Sequence, residues 1–599
     1  MSEVIASARV ASDVTASDVT ASDVTVPLDE IQSGIFDPTV ITFETHLFLG
    51  VADAVAGRAF VRSLIGRVTT EASIPSDPLA AAAQTRVNVG FTWSGLAAVG
   101  VSAEVLASFP QEFRDGMVAR GVILGDDPSH SGWDPVYLPP TAGGPALHVW
   151  VLVQAPAIAT LAAEVEVIRS LALTNDVTVI GTEQGAQFGA EHGSVKEHFG
   201  FNDNLSQPGV AGVGQPVYPG QGGYQPDGTW TPIPVGCFLL GHADGYGEIA
   251  SRPSDPALRT NATYMVLRKL EQDVAGFRSY VSQTAHRLGM DEEHCAAKFV
   301  GRWRSGAPLE LAPDHDDPSI LDDPATANAF TYRAPCGPAS ASATGGDLDG
   351  DRVPRRAHIR RVNPRDSLVV DSVVNPANHR IIRRSAPYGP YLDQAADDGQ
   401  RRGLLFRAFN ASILDQFEMI QSEWVNNGNE ANGLSTDRDP FVGADGTYRS
   451  PEGPLGASFT IPQPDGSCPT IHNLPQFVTP RGGAYLFVPS LSGLSHLCVD
   501  PVIAPPAAPP TLPAGTTFMA LYESIRAAPG NPPEAVLQEQ IDVVLLYQQH
   551  LVELGNELRA ADSTKIFPTS IGVLLGTAAD MTEVFTREDV FSVCGYGER

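Results

Sequence analysis

The chain has 599 residues, 43% of them hydrophobic and 18% charged, a globular composition with room for two or three domain-sized units. Its 39 basic residues against 69 acidic ones leave a net charge of −30, the wrong sign for nucleic acid or an anionic membrane surface as partner. The six cysteines form no CxxC pair, which excludes zinc ribbons, thioredoxin chemistry and CxxCH haem attachment, and no apolar run is long enough to span a bilayer.

The first residues, MSEVIASARVASDVTASDVTASDVT, hold ASDVT three times in tandem, at 11–15, 16–20 and 21–25. Three copies of five residues cannot build a solenoid, so residues 1–37 are expected to be a disordered low-complexity tail. The stretch has neither an apolar signal core nor a twin-arginine pair, and the expected location is cytoplasmic. Order should begin at ITFETHLFLGVADAVAGRAFVRSLIGRV (41–68), where a strand pattern runs into an amphipathic helix. The same pattern returns at ALHVWVLVQAPAIATLAAEVEVIRSLA (146–172). It returns again at ATYMVLRKLEQDVAGFRSYVSQTA (262–285), after a Gly/Pro-rich connector at 207–228. Strands alternating with helices favour an α/β or α+β sheet with helices packed on one face. Two halves are expected, 38–235 and 236–599. PVIAPPAAPPTLPA (501–514) reads as a proline-rich surface excursion, and 534–561 as a long late helix.

Chemistry-bearing segments follow in order. FGFNDNLSQPG (199–209) sets Asp203 between two asparagines, behind two phenylalanines that predict a buried start; alone it is most simply an Asx-turn. GGDLDGDRV (345–353) has a calcium-loop flavour, but Gly350 comes too early and position 12 is His358, so calcium is rejected. RRAHIRRVNPRD (355–366) places His358 among Arg355, Arg356, Arg360, Arg361 and Arg365, which alone could equally be a surface basic patch. RIIRRSAPYGP (380–390) could bring Arg383 to a strand end, pointing into a cavity. In GLLFRAFNASILDQFEMIQSEW (403–424) a strand precedes Ile413, Phe417, Ile420 and Trp424 at helical spacing, a core stripe with Asp415 and Glu418 roughly opposite. GxGxxG at a strand-to-helix turn, GxxxxGK[ST], GxSxG and HExxH are all absent.

Together and in this order, with NATYMVLRKLEQDV (261–274), AAKFVGRWRSGAPL (296–309) and RGGAYLFVPSL (481–491), these segments resemble the dye-decolourising (DyP-type) haem peroxidases over most of residues 190–491. The resemblance implies an α+β fold of two ferredoxin-like halves, each an antiparallel sheet covered by helices, in the dimeric α/β-barrel-like arrangement of these enzymes. It implies haem b, held non-covalently by the C-terminal half. His358 matches the proximal iron ligand, Asp203 the distal aspartate of the family's GxxDG motif, and Arg383 the distal arginine beside the cofactor. The carboxylate behind the histidine is expected to be Asp415, with Glu418 in reserve.

The implied reaction reduces hydrogen peroxide to water through a ferryl intermediate and oxidises dyes, phenolics or other one-electron organic donors. Asp203 would act as acid–base and Arg383 would stabilise O–O cleavage. Activity is expected in mild acid, because aspartates ionise near about 3.9 whereas a histidine base, near about 6.5, would be protonated. Trp133, Trp230 and Trp303 are electron-relay candidates by type alone, a type that more often packs. A non-catalytic haem carrier or iron-handling protein on the same fold is the alternative; it would need His358 but not Asp203 and Arg383 together. A chlorite-decomposing haem enzyme would lack the distal aspartate, and a cofactor-free scaffold protein would show no haem absorbance. Homo-oligomerisation is left open. The chain departs from the family pattern twice. Asn204 stands for the last glycine of GxxDG, and asparagine is the non-glycine residue most at home at positive φ. The stretch before the histidine reads VPRRAH where the family has Cys-Pro and a glycine.

Overall fold

The 41–68 pattern folds as a strand, β1 (Phe43–Val51), and a helix, α1 (Ala54–Ile65), whose N-terminus is capped by the Asp53 carboxylate accepting from the N–H groups of Val55 and Ala56. These positions come from a computed structural model. It describes residues 25–499 except 190–191, 193–194, 226, 334–345, 369–374, 427–437, 444–457 and 463–466. The ASDVT repeats up to residue 24, the proline-rich stretch at 501–514 and the helix expected at 534–561 lie outside the described residues.

The first half continues with β2 (Arg86–Phe91), β3 (Val149–Ala155), α2 (Ile158–Thr174) and β4 (Val177–Ala186). The second begins with β5 (Thr263–Gln272), α3 (Val274–Leu288) and α4 (Glu292–Val300). It goes on through α5 (His358–Val362), the short strands β6 (Ile382–Arg383) and β7 (Ala386–Tyr388), β8 (Gly403–Asn410) and β9 (Val478–Val488). All three strand-then-helix readings hold. The connector between β4 and β5 contains Asp203.

Among the described residues nine strands form one sheet, in the order β4-β1-β3-β2-β9-β5-β8-β6, with β7 paired to β8. Each half therefore reads fourth, first, third, second strand, with every pairing antiparallel: the ferredoxin-like order, twice. The halves join where Phe91 of β2 pairs with Phe487 of β9. At the far edges the sheet curls back on itself, so that a side chain added at Gly185 on β4 would come within 3.1 Å of the Ala386 Cβ on β7. Strands distant in the sheet then meet across the interior. Glu44 on β1 receives a hydrogen bond from Arg407 on β8 at 2.7 Å, and Glu183 on β4 one from Lys269 on β5 at 2.7 Å.

The tail expected to run to residue 37 is packed well before that. Val26, Ile31, Ile35 and Phe36 are buried in the main core. The Gln32 side chain accepts from the Val89 N–H at 2.8 Å and donates to the Val89 carbonyl at 3.0 Å. Arg384 donates to the carbonyls of Gly34, Ile35 and Phe36. The apolar residues of PLDEIQSGIF sit close enough to serve as a cover strip, and their burial outweighs the cost of ordering the segment.

Candidate active site

The FGFNDNLSQPG stretch begins in the core, as its phenylalanines predict: Phe199 and Phe201 pack with Phe277, and Phe199 also meets Phe441. Glu197 fixes both by accepting their backbone N–H groups at 2.9 Å each. The chain then turns through Asn204, whose φ of 64° is the left-handed conformation that its glycine counterpart would supply. Asp203 Oδ1 accepts the N–H of the next residue, Asn204, at 2.7 Å; this is one residue short of the expected Asx-turn, and the bond holds the carboxylate against the turn. The same oxygen accepts from Arg383 Nη1 at 3.3 Å.

Arg383 ends β6, held by β8 through the Ala408 register pair. Its backbone N–H donates to Gln207 Oε1 at 3.0 Å, and the Gln207 amide donates in turn to Asn204 Oδ1 at 2.6 Å. One side chain thus ties the aspartate turn to the arginine strand. Asp203 and Arg383 are each about a third exposed, and both line a cavity of about 590 Å³. That volume lies within the roughly 300–1,000 Å³ usual for cofactor sites.

His358 lines the same cavity from the first turn of α5. Its Nδ1–H donates to Asp439 Oδ2 at 2.7 Å, so Nε2 is the nitrogen left to act on the cavity. Asp439 is fully buried, and its other oxygen accepts the N–H groups of Phe441 and Val442 at 2.9 Å each. Burial pushes the Asp439 carboxyl up, but His358 and the two N–H groups outweigh burial and hold it below the ordinary value.

The expected partner of the histidine is therefore corrected. Asp415 is exposed and accepts from the Ser412 hydroxyl at 2.9 Å. Glu418 is buried but committed elsewhere, to Arg120 and to the Tyr485 hydroxyl at 2.9 Å each. The predicted core stripe is right, with Ile413, Phe417, Ile420 and Trp424 all buried, and Phe417 and Ile420 also line the cavity. The turns are π-helical, Ile413–Glu418 and Ile420–Asn426, a form frequent at functional sites. Asp439 was missed because it lies 81 residues beyond His358 in an irregular stretch; its only signal is a carboxylate beside Pro440 ahead of the apolar pair Phe441-Val442.

Of the five arginines around His358, four are buried: Arg356, Arg360, Arg361 and Arg365. The surface-patch reading therefore fails. Arg360 pairs with Asp347 at 3.1 Å, and Asp347 also accepts the N–H groups of Arg352 and Val353. The acidic stretch GGDLDGDRV thus supplies a buried counter-ion to an arginine of the helix that carries His358. Arg365, Arg302 and Arg380 line the cavity. Arg302 donates to the Gly306 carbonyl and to Asn328 Oδ1, and Arg380 to the Ser206 carbonyl, all uncharged acceptors. Burial first, and then the charges of Arg365 and Arg383, hold Arg302 and Arg380 down to about 9. Such a cluster favours an anionic occupant.

Of the three tryptophans singled out by type, Trp133 lines the cavity. Trp303 packs in the core and donates to the Ala312 carbonyl, and Trp230 lies 5.9 Å from the Arg365 guanidinium.

Residues 30–187 match the family model described as the DyP dimeric alpha+beta barrel domain, and residues 300–448 match that of the Dyp-type peroxidase, C-terminal. The chain is 33% identical over 498 residues to a dye-decolorizing peroxidase of Mycena epipterygia, covering 78% of this chain and 86% of that protein. It is 30% identical over 493 residues to the multifunctional dye peroxidase DyP2 of an Amycolatopsis species, covering 78% and 96%. Its fold is similar to that of an ancestral D-type dye decolorizing peroxidase, with a TM-score of 0.68 and 27% identity over 80% of this chain and 100% of that one. The chain belongs to the DyP-type peroxidase family. It is a peroxidase, and the resemblance and the twofold ferredoxin-like fold read from the sequence are both borne out.

Proposed function

We propose that this peroxidase binds haem b non-covalently at His358, reduces hydrogen peroxide to water and oxidises one-electron organic donors, dyes among them. The observation that carries the reading is the meeting, around one cavity, of a carboxylate-backed imidazole and the Asp203–Arg383 pair at 3.3 Å. The cavity fits the cofactor. It offers an open imidazole nitrogen for iron, apolar side chains such as Phe417 and Ile420 for the ring, and Arg302, Arg365 and Arg380 for the two propionates. When bound, haem supplies the redox centre that splits the peroxide bond and stores the oxidising equivalents for the donor.

The chain's own residues do the rest. Asp439 accepts the Nδ1–H bond and so makes Nε2 of His358 more electron-donating. Asp203 takes the proton from incoming peroxide and returns it to the departing oxygen, which leaves as water. Arg383, a permanent cation 3.3 Å from that carboxylate, stabilises the negative charge that develops as the O–O bond breaks. The names of the dye-decolorizing relatives support dyes as donors. A carrier protein on the same fold would have no use for the Asp203–Arg383 contact.

Stopped-flow mixing of haem-loaded protein with peroxide across pH tests the assignment. Wild type is expected to react in mild acid, at roughly pH 4 to 5, where a histidine base would be protonated. Asp203→Asn keeps the shape but cannot take the proton, and should slow the reaction at least about a hundredfold. An Asn variant as fast as wild type at every pH removes Asp203 from the role of base.

A further inference from the structure

A second polar cavity, of about 70 Å³, is lined by Asp203 and Arg383 and also by Glu44, Arg407 and Trp150. Trp150 is 1% exposed. Its indole N–H donates to His46 Nδ1 at 3.0 Å, and His46 Nε2 lies 2.9 Å from Glu44 Oε1. Glu44 Oε2 accepts from Arg407 at 2.7 Å and from Gln154 at 3.0 Å.

These partners leave the ring one arrangement. An indole N–H only donates and an ionised carboxylate only accepts, so Nδ1 is bare and Nε2 carries the proton. Burial holds the His46 ring below its ordinary value despite Glu44, so the contact is a hydrogen bond from a neutral imidazole. Glu44 is held down to about 2: burial would raise it, but the Arg407 charge and the bond from His46 prevail.

A neutral imidazole beside an indole N–H, backed by a fixed carboxylate, is a base waiting for a proton. An indole gives up its N–H proton readily only once it has lost an electron. Trp93 and Trp303 donate to the carbonyls of Leu106 and Ala312, which are too weakly basic to accept that proton. Trp150 is bonded to an imidazole, which is not.

We propose that Trp150 is a proton-coupled electron donor inside the barrel, a buried holding site for one oxidising equivalent. The inference rests on the haem peroxidase reading above. Trp150 gives one electron to the peroxide-oxidised haem, and its N–H proton moves to His46 Nδ1. The products are a neutral indolyl radical and an imidazolium bonded to the Glu44 carboxylate. When a donor returns an electron through the haem, the proton moves back. Trp150 is too buried to meet a donor, so it parks the equivalent away from the cavity while no donor is present.

The test is rapid-freeze electron paramagnetic resonance of full-length, haem-loaded protein mixed with one equivalent of peroxide and no donor, with haem absorbance followed in parallel. A protein radical is expected whose hyperfine structure changes when the tryptophans are ring-deuterated, and Trp150→Phe should abolish it. His46→Gln keeps an acceptor for the indole but no base, and should slow radical formation at least about tenfold. If Trp150→Phe does not fold, the labelled wild type and His46→Gln still decide. A haem whose spectrum peroxide leaves unchanged overturns the peroxidase reading, and the relay with it. A haem that is oxidised while the radical ignores the deuterium label, persists in Trp150→Phe or forms at wild-type rate in His46→Gln overturns the relay alone.

Discussion

Asp439 accepts three hydrogen bonds, and the division between its oxygens matters: Oδ1 serves the two backbone N–H groups and Oδ2 the His358 ring. In Asp439→Asn the carbonyl is claimed by the backbone donors, which turns the amide NH₂ toward Nδ1. The ring must then accept at Nδ1 and carry its proton on Nε2, the nitrogen proposed for iron. Haem affinity should fall about 10- to 100-fold, as when an outer partner of a metal-ligating histidine is lost. Titrating apoprotein with haem and following the Soret band checks this, with His358→Ala as the limiting case. Undiminished affinity in Asp439→Asn would remove the carboxylate from any part in orienting the ring. At this scale the sequence named three residues, Asp203, Arg383 and His358, that the fold brings to the lining of one cavity. The carboxylate behind the histidine was not, because hydrogen-bond partners far apart in sequence leave no local spacing to read.

The 25–37 strip shows the same limit one level up. A low-complexity repeat hides the change to a segment that buries Val26, Ile31, Ile35 and Phe36. Each such side chain contributes roughly 1.5–3 kcal/mol when buried, before ordering costs. A chain starting at residue 38 should therefore melt at least about 5 °C below the full chain in calorimetry, allowing for a large protein's shallow response. Equal melting temperatures would mean that the strip adds no stability. The strips of regular periodicity fared differently. At 41–68, 146–172 and 262–285 local alternation and the helical stripe agree with the final packing, and there local pattern alone gave the elements.

Across the whole molecule, Glu44 joins the two halves through Arg407 and sits entirely inside the barrel. Its carboxyl drops from the ordinary 4.5 to about 2 in the folded chain. A depressed folded value means that the unfolded chain binds the proton more readily. The stabilisation is therefore complete above about pH 4.5 and fades as pH falls toward about 2. Glu44→Gln leaves Arg407 without its carboxylate and should cost about 3–5 kcal/mol at neutral pH, the usual penalty for breaking a buried pair. Urea unfolding at several pH values checks the sign. The gap between wild type and Glu44→Gln should hold steady from neutral pH down to about 4.5 and narrow below it. A gap that widens in acid would contradict the assignment.

Local pattern was enough to place the strand-then-helix units, the buried start of the FGFNDNLSQPG turn and the positive-φ asparagine that lets the turn form. These depend on neighbours a few residues away, through alternation, turn chemistry and backbone sterics. The sequence also carried, in ordered motifs, the family to which the chain belongs. Long-range packing settled the rest: Asp439 rather than Asp415 stands behind His358, four arginines near the histidine are buried, and Glu44 meets Arg407 across the barrel. A charged side chain is stable in the interior only where a counter-charge or donor meets it, and folding brings that partner from anywhere along the chain.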